Sequence, residues 1–117
     1  VADRQTLLTW AATARSVAEN AGIVLGGVAI PTDDQTKAVL TAAYIRASQD
    51  ENFSIPNWKV SSGIYVTLSR DQIIAIGDAV TAHIQACFDK NKDVDLAIEA
   101  GEITTHEQIK AAFEELN

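Results

Sequence analysis

Leu7, Trp10, Ala14, Val17 and Ala21 recur at alternating steps of three and four. That spacing puts them on one face of a helix, predicted over residues 3–20, and Gly22 ends it. The pattern then changes period. Residues 23–30 read Ile-Val-Leu-Gly-Gly-Val-Ala-Ile, two short β-prone runs around a Gly-Gly pair whose freedom to take positive φ suits a tight hairpin turn. Pro31 closes the second run. Thr32-Asp33-Asp34-Gln35 has the form of a capping box, with Thr32 as N-cap and Gln35 reaching back. It opens a helix expected over about residues 33–48, with Val39, Leu40, Ala43, Tyr44 and Ala47 facing inward.

A polar stretch over residues 49–57 reads as a loop. Trp58-Lys59-Val60 and Ile64-Tyr65-Val66-Thr67-Leu68 flank Ser61-Ser62-Gly63, a second hairpin with a three-residue connection. Alternation puts Trp58, Val60, Ile64, Val66 and Leu68 on the buried side. Ser69-Arg70-Asp71-Gln72 is another capping box. The helix behind it is the longest, from residue 70 to 90 or beyond, with Ile73, Ile76, Val80, Ile84 and either Cys87 or Phe88 inward. Leu96 and Ile98 extend the apolar signal past a charged stretch, and Gly101 breaks it. Thr104-Thr105-His106-Glu107 opens a last helix that turns Ile109, Ala112, Phe113 and Leu116 inward. Two hairpins and three to four helices make an α+β fold, with the hairpins side by side in one small antiparallel sheet covered by helices.

Composition narrows the function classes. The chain has 117 residues, 47% of them hydrophobic, enough for one ordinary domain. Its net charge is −7, which argues against a nucleic-acid partner because phosphate backbones are bound by clustered Lys and Arg. The imbalance lies late: residues 89–117 hold eight acidic and three basic side chains. That stretch reads as a solvated face or an acidic docking surface. No apolar run reaches the roughly 20 residues of a membrane span, so no membrane insertion is expected. The first residues, Val1 to Arg4, have no signal-peptide form and no initiator Met, as expected of a chain processed or cut from something longer. One cysteine, Cys87, precludes an internal disulfide.

No catalytic constellation emerges. Acidic or amide groups at 89, 91, 93 and 95 imitate a calcium loop, but Val94 and Ala100 stand where its Gly and bidentate Glu belong. His83 and Cys87 are one helical turn apart with no third ligand nearby, so a metal site or nucleophilic pair is not expected. Asp33 with Asp34, and Asp50 with Glu51, are neighbours in sequence and face apart. Gly22, Gly26 and Gly27 lack the spacing of a phosphate cradle. No catalytic residue, metal or cofactor is therefore assigned. Two binding surfaces remain: a helical seam of Leu7, Trp10, Ala14 and Val17, and an aromatic sugar platform of Trp58 and Tyr65 near Phe53.

Several segments carry a resemblance. The run Val28-Ala29-Ile30-Pro31-Thr32-Asp33-Asp34 enters an Ala-rich helix. Trp58-Lys59 and Tyr65-Val66-Thr67-Leu68 follow, then Ala79-Val80-Thr81-Ala82-His83-Ile84-Gln85-Ala86-Cys87-Phe88. In this order they resemble an uncharacterised domain family of bacteriophage tail fibre and tail-associated proteins, over about residues 22–113. The resemblance implies a structural or interaction domain in the virion tail, or an assembly accessory in the host cytoplasm. Its partners would be other tail subunits or itself, as a trimer or dimer. The alternative is a module binding a host-surface glycan or host protein. On this reading residues 1–21 are a helix that ends a longer fibre or coiled coil, and residues 22–117 are the α+β domain.

Overall fold

A computed structural model describes residues 2–116. The order of elements is α1 (Arg4–Glu19), β1 (Ile23–Leu25), β2 (Val28–Ile30), α2 (Asp34–Gln49), β3 (Ile55–Ser61), β4 (Ile64–Leu68), α3 (Arg70–Glu99) and α4 (His106–Glu114). The fold is α+β, with four helices and two antiparallel hairpins. The hairpins do not join into one sheet, however. Each is a separate two-stranded ladder, and β2 approaches β3 without pairing to it. Three-residue strands in the first hairpin leave little edge to extend.

The chain divides into two compact units: residues 2–20 with 83–116, and residues 21–82. The first is all-helical. Leu7, Ala11 and Ala18 of α1 share a core with Cys87, Val94 and Ile98 of α3 and with Ile109 and Phe113 of α4. Full burial of each Ile, Leu or Phe contributes about 1.5–3 kcal/mol. The buried stripe of α1 is thus rotated from the expected one, because small alanines at 11 and 18 permit close approach of helices where larger side chains would hold them apart. Asp3 caps α1 by accepting from the Thr6 N–H at 2.8 Å. Thr105 and Gln108 form a capping box on α4. Gly101, at φ +76°, closes α3 with Glu102 N donating to Ala97 O and Gly101 N to Ile98 O, the paired bonds of a Schellman turn.

The second unit buries Ile30, Leu40, Ala43, Ala47, Leu68, Ile73, Ile76 and Val80. Gly26 and Gly27 both take positive φ in the first hairpin turn, as a type I′ turn requires. The cap of α2 lies one residue later than expected. Asp33, not Thr32, accepts from Thr36 N. Thr32 is wholly buried and its hydroxyl accepts from the Gly22 N–H at 2.8 Å, joining the residue before β1 to the second residue after β2. Leu40, Ala43 and Ala47 form the inner stripe of α2, with Tyr44 half-buried on one edge, and Val39, on the other edge, is exposed. The Tyr44 ring lies against Gly77 of α3, where any Cβ would strike it, and its hydroxyl donates to Asp78 at 3.0 Å. Ser69 and Gln72 form the expected reciprocal bonds at the start of α3.

The second hairpin also departs in detail. β3 begins at Ile55 and takes in Ser61, leaving a two-residue turn at Ser62-Gly63 and a register shift between Lys59 and Ser61. Ile64, at the hairpin tip, is exposed. α3 runs 30 residues without interruption, about 45 Å at 1.5 Å per residue. Of the alternatives at its middle, Cys87 is buried and Phe88 is not. Among the described residues, no helix is long and apolar enough to cross a membrane.

Candidate functional site

The α1 seam is largely consumed by its own unit. Leu7 is in the core, and Trp10 and Ala14 pack against it. The Trp10 ring sits 4.7 Å from the His106 ring at a 45° tilt. Only Val17, 67% exposed, faces away. The four residues therefore present no continuous outer surface.

Trp58 and Tyr65 do not form a shared platform. Trp58 pairs across the ladder with Val66, and Lys59 pairs with Tyr65. Adjacent pairs project from opposite faces of a hairpin. Trp58 is accordingly half-buried and Tyr65 is 56% exposed. The Trp58 Nε1–H is buried with no acceptor among the described residues, a local cost in free energy. Phe53 lies beneath the Arg46 guanidinium at 5.1 Å.

His83 and Cys87 face the core of the helical unit. His83 Nε2 is 2.9 Å from the Ala18 carbonyl oxygen and 3.8 Å from Cys87 Sγ. A carbonyl only accepts, so Nε2 carries the hydrogen and has no lone pair left to take the thiol proton. The contact ties α3 to the C-terminal end of α1. The acidic stretch from Asp89 to Asp95 is plain helix, continuous with the rest of α3. Successive alternate residues there point about 200° apart and cannot converge on one ion. No group of three or more His, Cys, Asp or Glu suited to a metal occurs among the described residues. Asp33 is a cap, and Asp50 accepts from the Asn52 N–H.

The surface with most to offer lies on the outer side of α3. Phe88, Asn91, Lys92, Asp95 and Leu96 line an open depression of about 300 Å³. Their spacing is that of one helical face. Phe88 is 45% exposed and Leu96 58%. The Arg15 guanidinium covers part of the Phe88 ring at 4.5 Å. Its Nε donates to Asn91 Oδ1 at 3.2 Å, and Nη1 pairs with Glu19 at 2.8 Å. Asn91 Nδ2 in turn donates to Asp95 Oδ1 at 3.1 Å. Partial burial pushes the Asp95 carboxyl above the usual range, and the like charge of Glu99 adds to it. The sequence signal for this face was Phe88 and Leu96 eight apart, masked because Cys87 and Ile98 define a stronger stripe beside it.

A family model matches residues 2–114. The chain belongs to DUF4376, a domain of unknown function. No curated protein and no solved structure matches it. The DUF4376 match takes in the whole of α1, and α1 shares its core with α3 and α4. A boundary after residue 21 therefore separates α1 from helices it packs on. Within the DUF4376 domain the α3 depression sets the apolar Phe88 and Leu96 beside the polar Asn91, Lys92 and Asp95.

Proposed function

We propose that this DUF4376 chain is a non-catalytic docking domain of a bacteriophage tail, within a fibre protein or a tail assembly accessory. The α3 face carries the docking reading: two large apolar side chains stand in water on either side of Lys92 and Asp95. Phe88 is 45% and Leu96 58% exposed, so a partner surface could recover about half of the roughly 1.5–3 kcal/mol that full burial of each contributes. The phage context rests on the ordered resemblance of the segments from Val28 to Phe88. The location that follows is the virion tail, or the host cytoplasm during assembly. The partner is another tail subunit or a further copy of the chain.

Mass spectrometry of purified particles tests the context, and incorporation of a Leu96→Ser variant tests the surface. The wild-type chain should be found in particles and the variant depleted from them. A chain missing from particles and from tail intermediates overturns the reading. The glycan alternative has lost its paired aromatic platform and would now rest on Tyr65 alone.

A further inference from the structure

We infer that the free edge of β4, independently of the α3 docking face, pairs antiparallel with β4 of a second copy about a two-fold axis through Val66. The second hairpins of two copies then join in one sheet.

The fold leaves that edge bare. β4 pairs with β3 on one side, and among the described residues no strand pairs with it on the other. Ser61 and Ile64 are partners across the two-residue turn, so their main-chain groups point at each other. Alternation turns those of Val66 and Leu68 the same way, toward Trp58 and Ile55. It turns the main-chain groups of Tyr65 and Thr67 outward, and both residues are exposed. A row of outward N–H and C=O groups is a template for one more strand. A lone two-stranded hairpin is also marginal in water until further strands or a helix support it, and Leu68 is the one β4 residue buried in the core.

The features that keep strand edges single lie elsewhere. β3 carries Pro56, Lys59 and the extra residues at both register shifts, and β1 and β2 are three residues each. β4, Ile64-Tyr65-Val66-Thr67-Leu68, has no charge, no proline and no bulge. Edges that stay unpaired are normally blunted by such devices. The same run fits itself. With the axis at Val66, Tyr65 stands opposite Thr67 of the second copy, and Ile64 opposite Leu68. Outward groups then meet outward groups, and the axis repeats each bond. A register one residue off sets outward groups against inward ones and forfeits the bonds. Although each chain carries a net charge of −7, no like charges meet along this contact. The joined sheet ends on β3 of each copy, where Pro56 and Lys59 oppose further addition, so the assembly closes as a dimer.

Sedimentation of the full chain from about 1 to about 500 μM spans the range in which a weak interface shows itself. A monomer–dimer equilibrium is expected. Tyr65→Lys, which the axis places in the contact twice, should weaken it by about tenfold or more. Val66→Cys should give a covalent dimer on mild oxidation, because opposed residues of a non-bonded pair lie about 4.5 Å apart at Cα, within disulfide reach. Thr67→Cys should not, since Thr67 stands opposite Tyr65. The native Cys87 is buried. Circular dichroism melts establish that each variant is folded. Tyr65 is exposed, so its variant decides the matter even if Val66→Cys fails to fold. A monomer across the whole range, open-ended aggregation, or a dimer indifferent to Tyr65→Lys overturns the inference, and cross-linking through Thr67→Cys in place of Val66→Cys overturns the register. A dimer lost in Leu96→Ser but kept in Tyr65→Lys places the contact on α3: the docking reading then stands and the β4 pairing falls. Capture of an extended peptide by a chain that stays monomeric likewise counts against it.

Discussion

Asp95 shows how one side chain sets a pH dependence. Its folded-state carboxyl is raised, chiefly by burial and then by Glu99. The folded protein therefore favours the neutral acid more than the unfolded chain does. That preference supports the fold below the ordinary carboxylate value and is lost as pH rises through the raised one. Asp95→Asn keeps an acceptor for Asn91 and removes the charge. It should melt higher than wild type at neutral pH. The gap should close as the pH falls below the ordinary value near 3.8. Gly77 offers a second test. Alanine gains about 1 kcal/mol in an unobstructed helix, but here the Tyr44 ring occupies the space of its Cβ. Overpacking costs about 1–3 kcal/mol, so urea denaturation should find Gly77→Ala less stable than wild type. In a Tyr44→Ala background the same change should be stabilising.

At the scale of elements, the caps carry testable weight. Ser69→Ala removes the acceptor for the Gln72 N–H and should cost about 1 kcal/mol in chemical denaturation. Asp33 is held below the usual carboxylate range, first by its bond from the Thr36 hydroxyl and also by the Thr36 backbone. Its contribution is present above the ordinary value and fades as pH falls through the lowered one. Asp33→Asn keeps a cap that does not titrate, so loss of α2 signal on acidification should be shallower in that variant.

Much of this layer was legible in the sequence. Gly26-Gly27 marked the first turn, Ser69 and Gln72 marked the start of α3, and Ile109 and Phe113 marked the inner side of α4. What misled was local ambiguity. Thr32 and Asp33 can each cap a helix, and only the bond from the Gly22 N–H decides that Thr32 serves the hairpin. Alanines fit either side of a helix, so the α1 stripe could be set only by the helices it meets. The α3 depression was illegible as a site because its apolar members are two residues within a charged run. The split between the hairpins depends on how strands pair beyond their own turns, which local pattern does not encode.

For the whole molecule, the two ends of the chain build one unit and residues 21–82 build the other. Residues 106–116 supply Ile109 and Phe113 to the first core, and loss of a single large core side chain costs about 2–5 kcal/mol. Removing that segment should abolish slow hydrogen exchange in α1, while α2 amides retain theirs. Simultaneous loss in both would show that the units melt as one.

The same arrangement has a consequence for biosynthesis. α1 leaves the ribosome before residues 21–82, yet Cys87, Val94, Ile98, Ile109 and Phe113, which share its core, are translated after them. At about 5–20 residues per second the wait lasts roughly 5–20 seconds. For that interval the nascent chain displays an apolar helix with nothing to fold against, a natural substrate for a holding chaperone, while residues 21–82 are already free to fold behind it.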